Sequence, residues 1–169
     1  MHTLDAPIGS QELWAAGVTY LRSKEAREKE SEHSGGGSFY DKVYDAKRPE
    51  LFFKALPTRI SGHRSAVHIR KDSIWDVPEP ELTLMISSHG TIEGYTIGND
   101  MSSRDIEGEN PLYLSQAKIY IGSTALGPDI TPAWLAPAAD AMAIKAKILR
   151  GSAIAWEAET SLGKLNRTL

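Results

Sequence analysis

The sequence predicts a β-rich α+β fold, a mixed sheet of short strands and hairpins, on three observations. β-Branched and aromatic residues fall in short runs broken by turn-forming pairs. The stretches 82–98 and 143–160 read as hairpins around His89-Gly90 and Gly151-Ser152. The longest helix-favouring run, Arg22 to Glu32, carries almost no apolar stripe with which to join a core.

In chain order, Leu13 to Tyr20 is apolar and ends in Val18-Thr19-Tyr20, which predicts a first buried strand. The charged run that follows leads into Gly35-Gly36-Gly37. Together, Arg22 to Ser38 reads as a solvated surface helix and loop, or as a lid beside a pocket. Leu51 to Lys54 makes a short strand between Pro49 and Pro57, and Gly62 to Val67 a loop. Leu82 to Ser88 and Thr91 to Gly98 form the first hairpin. From Asp100 to Pro128 the text is loop-rich, punctuated by Asn110-Pro111 and Gly127-Pro128. Ala143 to Arg150 and Ala153 to Thr160 make the second hairpin, whose leading glycine suits a type II′ turn.

One domain spanning 1–169 is expected from 169 residues with 41% apolar and 24% charged content. A net charge of −3 gives no electrostatic footprint for a nucleic acid or a membrane surface, so the expected partner is a small molecule. The absence of cysteine excludes disulfides, a thiolate nucleophile and Cys-ligated zinc, and fits a reducing, cytoplasmic setting. Met1 to Asp5 has neither the basic nor the apolar region of a secretory leader. The most apolar stretch, Ala133 to Ile148, is broken by Pro137, Asp140, Lys145 and Lys147 and cannot span a bilayer. His63, His68 and His89 lack the spacing of zinc ligands, and Asn166-Arg167-Thr168 is read as a chance glycosylation pattern.

The chemistry gathers around carboxylates. Glu79 and Glu81 are two apart, so at the start of a strand both fall on one face. A hairpin centred on His89-Gly90 sets Glu79 opposite Asp100 and Glu81 opposite Gly98, and opposed side chains share a face. Three carboxylates so close repel one another unless protons or a cation neutralise them. Oxygen-only ligands select a hard ion, Mg²⁺ first, with Mn²⁺ or Ca²⁺ as alternatives. An acidic pair at a strand end by itself says little, because such residues are usually just solvated.

The run Gly94-Tyr95-Thr96-Ile97-Gly98-Asn99-Asp100-Met101-Ser102-Ser103-Arg104-Asp105 resembles the signature of the fumarylacetoacetate hydrolase family. Glu79-Pro80-Glu81-Leu82, Lys118, Gly127-Pro128 and Phe53-Lys54 stand where that family has its acidic pair, its active-site lysine, its GP turn and an earlier F-x-K segment. The resemblance implies a mixed β-sheet roll holding Mg²⁺ on Glu79, Glu81 and Asp100. Arg48 to Lys54 and Asp105 to Leu114 are further similar to the branch of 2-keto-3-deoxy-sugar-acid dehydratases. Two departures from the hydrolases agree with that branch: Tyr20 is followed by Arg22, Ser23 and Ala26 where a His/Glu pair stands, and Glu107 replaces a glutamine. The family's sheet continues past the equivalent of Leu169 with a Thr-Gly-Thr segment, and many members carry an N-terminal domain. A partial catalytic domain, its roll incomplete at the C-terminus, is therefore expected.

What the resemblance implies is Mg²⁺-dependent dehydration of a 2-keto-3-deoxy sugar acid through a metal-stabilised enolate, giving 2,5-dioxopentanoate from the arabinonate. Lys118 and Glu50 are the candidates for proton transfer, in either assignment of acid and base. Lys54, Arg104 and Glu107 are the candidates for substrate binding, with steadying of the metal ligands the alternative for Lys54 and Arg104, and Arg104 is suited to a bidentate grip on a carboxylate. The alternatives are a hydrolase or decarboxylase of another 2-keto or 1,3-diketo acid, and an inactive remnant that self-associates. A homo-oligomer is expected in each case.

Overall fold

The computed structural model describes residues 4–17, 19, 43–44 and 46–167. The lid-like segment 22–38, and the end of the first expected strand at Val18 and Tyr20, lie outside the described residues. The architecture is β-rich. Strands β1 (Leu13–Gly17) and β2 (Glu50–Ala55) pair antiparallel, as do β4 (Asp76–Val77) with β7 (Ser102–Ser103) and β9 (Ala143–Arg150) with β10 (Ala153–Ser161). A four-stranded sheet in the order β3-β8-β6-β5 lies at the centre, from β3 (Ile60–Ser61), β5 (Pro80–Ile86), β6 (Ile92–Asp100) and β8 (Thr124–Pro132). Only the β3–β8 pairing within it is parallel. No helix among the described residues is long and apolar enough to cross a membrane.

The β5–β6 hairpin determines where the chemistry goes, and it reaches the expected register by an unexpected route. The turn is not two residues long. The Ser87 N–H donates to the Thr91 carbonyl, leaving Ser88, His89 and Gly90 as the loop, with Gly90 in the left-handed region at φ 80°. That pairing alone would offset the strands by one residue and turn their faces over. A bulge restores the register: Ile86 pairs with Ile92 but Met85 pairs with Gly94, so Glu93 is the extra residue. From there Glu81 opposes Gly98 and Pro80 opposes Asn99, as the two-residue turn had implied.

The stretch 100–128, expected to be loop-rich, is more ordered than that. It holds β7, the helices α1 (Arg104–Glu109) and α2 (Leu114–Lys118), and the start of β8. Both helices are too short to show a helical period, which hid them in the sequence. Asp105, in the first turn of α1, accepts from the Ile74 N–H at 2.9 Å and from Ser73 Oγ at 2.6 Å, fastening the preceding loop to the helix. Asn110 accepts from the Leu112 N–H and starts the turn that leads into α2. Gly127-Pro128, read as punctuation, lies inside β8. It carries a cis peptide bond and sits where the pairing with β6 becomes irregular, so the missing proline N–H interrupts no regular ladder. The second hairpin turns at Gly151-Ser152 with Gly151 at φ 61°, and Ala153 pairs with Arg150 across it.

The buried interior is mostly polar. Among the described residues, Ala55, Met101, Ala117, Leu126, Ile144 and Leu162 are the buried apolar ones, whereas the largest fully buried side chains are Lys54, Lys118 and Glu107. Burying such groups is tolerated only where they find charged or hydrogen-bonding partners. Beside them, a cavity of about 640 Å³ opens between β1, β2 and the central sheet, with Trp14, Leu84 and Leu126 on its apolar wall and Lys54, Glu81 and Asp100 at its polar end.

Candidate metal centre

The hairpin brings the first group together. The Asp100 N–H donates to the Glu79 carbonyl at 2.9 Å, continuing the β5–β6 ladder one step past Pro80 and setting the two residues opposite one another. The Glu79 N–H is held in turn by Asn99 Oδ1 at 3.1 Å. Glu81 shares their face, opposite Gly98, where a Cβ would run into the Thr83 side chain. One oxygen from each of Glu79, Glu81 and Asp100 lies within 4.8 Å of the others. Among the described residues this is the group able to hold a metal ion, and no histidine belongs to it.

Two lysines enter the group, one from α2 and one from β2. Lys118, at the end of α2, donates from Nζ to Glu79 Oε2 at 2.5 Å, Ser102 Oγ at 2.6 Å and Asp100 Oδ2 at 2.9 Å, which uses all three protons of an ammonium. Its Nζ also stands 5.8 Å from the centre of the Phe52 ring. Lys54, from β2, pairs with Asp100 Oδ1 at 2.6 Å and donates to the carbonyl of Lys118 at 2.5 Å and that of Met101 at 3.2 Å. Lys54 thus grips the backbone that carries Lys118 as well as the carboxylate that Lys118 contacts. Ser123 adds a bond from its Oγ to the same Lys118 carbonyl at 2.9 Å.

Arg104 is paired with Glu79, and its Nε is 3.5 Å from Glu107 Oε2. Glu107, placed among the substrate contacts by the sequence, is 1% exposed and faces Arg104 and Lys118. Glu50 opens β2 opposite Gly17, its carboxylate filling the space a Cβ at Gly17 would need. Strand alternation puts Glu50 on the same face as Phe52 and Lys54. Its Cα is about 13 Å along the strand from that of Lys54.

Burial and charge act on these groups in opposite senses. Burial, followed by the neighbouring Asp100 and Glu79 carboxylates, pushes the Glu81 carboxyl up to about 8. Burial also lowers Lys54, against the opposing pull of Asp100. A carboxyl raised by burial and then by two neighbouring carboxylates is what an oxygen-lined cation site looks like before its cation is counted, so the donor set fits a hard divalent ion.

Sequence reasoning missed Ser102 and Ser123. Ser102 had only a weak signal in its closeness to Asp100, because the chain leaves β6 at Asp100 and Ser102 opens the separate strand β7. Ser123 had none, because its bond to the Lys118 carbonyl depends on how the chain returns after α2.

The family model described as fumarylacetoacetate (FAA) hydrolase C-terminal matches residues 13–161. The chain belongs to the fumarylacetoacetate hydrolase family. Within this family it is 44% identical over 167 residues to 2-dehydro-3-deoxy-D-arabinonate dehydratase of Saccharolobus solfataricus, covering 96% of this chain and 55% of that protein. It is 56% identical over 122 residues to a probable 2-keto-3-deoxyxylonate dehydratase of Haloferax volcanii, covering 72% of this chain and 41% of that protein. The chain therefore spans about half the length of the curated relatives it matches. Among solved structures, it is similar to a hexagonal crystal form of 2-keto-3-deoxyarabinonate dehydratase, with a TM-score of 0.88 at 43% identity over 97% of this chain and 57% of that one. A second, 2-keto-3-deoxy-D-arabinonate dehydratase complexed with magnesium and 2,5-dioxopentanoate, gives a TM-score of 0.82 at 40% identity over 98% of this chain and 54% of that one. The β-rich fold expected from the sequence is thus the fold of this fumarylacetoacetate hydrolase family.

Proposed function

We propose that residues 1–169 form part of a single catalytic domain that dehydrates a 2-keto-3-deoxy sugar acid with the help of Mg²⁺. The observation that carries this reading is the Lys118 ammonium held among Glu79, Asp100 and Ser102 at the edge of a three-carboxylate group. The substrate class rests on the dehydratases of 44% and 56% identity and on the magnesium and 2,5-dioxopentanoate named with the structural neighbour.

Glu79, Glu81 and Asp100 would hold Mg²⁺, or Mn²⁺ or Ca²⁺ in its place. A cation there supplies a Lewis acid for negative charge that develops on the 2-keto oxygen. Lys54, at the polar end of the cavity, and Arg104, paired with Glu79, bind the substrate carboxylate, a role that favours the forked guanidinium of Arg104. Lys118, whose ammonium sits against the metal group, would turn one of its protons from these partners to the departing C4 hydroxyl, which leaves as water. Glu50, on the β2 face shared with Phe52 and Lys54, is then the acceptor of the C3 proton. Isomerisation of the resulting enone gives 2,5-dioxopentanoate. The apolar wall formed by Trp14, Leu84 and Leu126 lowers the local dielectric and strengthens each of these charge interactions.

Proton NMR of the chain with 2-keto-3-deoxyarabinonate and Mg²⁺ tests the reading. The expected result is loss of the substrate's C4 carbinol signal and growth of 2,5-dioxopentanoate, with acylpyruvates left intact. Hydrolysis of an acylpyruvate in preference to that dehydration would overturn it.

A further inference from the structure

Arg104, Lys118, Glu79 and Glu107 form a closed ring of alternating charge. Arg104 pairs with Glu79 through one nitrogen and lies 3.5 Å from Glu107 through another. Lys118 Nζ is 2.5 Å from Glu79 Oε2 and 3.8 Å from Glu107 Oε1. Each carboxylate thus presents its two oxygens to the same two cations. The two acids differ in setting: the Glu79 side chain is 20% exposed and that of Glu107 is 1% exposed. Arg104 and Glu107 are three apart on α1 and so share a face of the helix, while Lys118 arrives from the end of α2.

We propose that Glu107 is a positioning residue: its buried carboxylate holds Arg104 and Lys118 in place so that Glu79 can turn its oxygens to a divalent cation. This rests on the metal reading of Glu79, Glu81 and Asp100. When Glu79 ligates a cation, Arg104 and Lys118 each give up part of their nearest counter-charge beside a newly arrived positive ion. Glu107 is the anion of the ring that stays with them. In the ion pairs of the cluster, the three carboxylates Glu79, Asp100 and Glu107 meet the three cations Lys54, Lys118 and Arg104. Neutralising Glu107 leaves those cations in excess where a divalent ion has to enter, and in a partly desolvated site such a change is felt strongly.

The test is Mn²⁺ binding followed by electron paramagnetic resonance, which counts free Mn²⁺ and needs no substrate. Glu107→Gln keeps the shape and loses the charge, whereas Glu107→Asp keeps the charge and shortens the side chain. Affinity should fall about 10–100-fold in Glu107→Gln, the range for groups that support metal ligands from behind. Glu107→Asp should bind more tightly than Glu107→Gln. A purely structural role predicts the reverse order, because the isosteric variant would then be the milder one. Circular dichroism identifies a variant that has not folded, and a folded Glu107→Asp that binds as weakly as the chain with a metal ligand removed overturns the proposal by itself. So does unchanged Mn²⁺ affinity in Glu107→Gln. Failure of the unsubstituted chain to bind Mn²⁺ would instead bring down the metal reading, and the proposal with it.

Discussion

The Asp100 N–H donates to the carbonyl of Glu79 at 2.9 Å, and this one backbone bond sets two acidic side chains opposite each other at the open end of a hairpin. Lys118 Nζ then reaches both carboxylates, at 2.5 and 2.9 Å. Removing Lys118 leaves like charges facing each other in a mostly buried place. Lys118→Met should therefore destabilise the metal-free chain by about 3–5 kcal/mol, the cost of breaking a buried pair by deleting one partner. Added Mg²⁺ should restore more of the melting temperature in this variant than it adds to the unsubstituted chain. Thermal unfolding with and without Mg²⁺ checks both.

Glu50 separates catalysis from stability. It opens β2, half-buried and opposite Gly17, four residues before Lys54. If it accepts the C3 proton, Glu50→Gln should reduce kcat about 10²–10⁴-fold, the usual worth of a general base, while the melting temperature changes little. Turnover measured beside thermal unfolding decides this; a variant that keeps its kcat removes Glu50 from the mechanism.

The acidic group also predicts a pH dependence. Folding raises the Glu81 carboxyl from 4.5 to about 8, chiefly through burial. Between those values the folded chain holds a proton that the unfolded chain has released, so stability falls as pH rises through this window and levels off above it. Lys54, lowered by burial, acts in the opposite sense on the side below its ordinary 10.5. Subtracting the Glu81→Gln profile isolates the Glu81 part: that variant should lose the decline between about pH 5 and 8. Because a proton competes with the cation, Mg²⁺ affinity of the unsubstituted chain should rise with pH over the same range.

How far the sequence reached follows from where the information was local. The opposition of Glu81 to Gly98 was legible because period-two alternation and a turn position define a register, although the turn itself was one residue longer than expected and the Glu93 bulge compensated for it. β1, β2, β9 and β10 were legible as apolar or alternating runs. The helices α1 and α2 were not, being shorter than the window in which a helical period can be recognised. β8 was obscured by Gly127-Pro128, a turn signal that here lies in an irregular part of a strand. In the site, the resemblance to the family selected Lys54, Arg104, Glu107 and Lys118. Which of them touch each other depends on contacts between residues up to 64 apart, as with Lys54 and the Lys118 carbonyl. Period and spacing are silent at that range.

Core packing gives one further expectation. Leu126 is buried on β8 opposite Gly98 and walls the cavity. Leu126→Ala should cost about 2–5 kcal/mol, as large-to-small changes in a core do, and should loosen the face that carries Glu81. Urea unfolding measures the loss, and a cost below about 1 kcal/mol would mean that the cavity wall adds little to stability.

The central claim is that Glu79, Glu81 and Asp100 together bind a divalent cation, and isothermal titration with Mg²⁺ or Mn²⁺ tests it most directly. The account predicts a single site in the unsubstituted chain that is lost in Glu81→Gln and in Asp100→Asn. Binding that persists unchanged in both variants would contradict it.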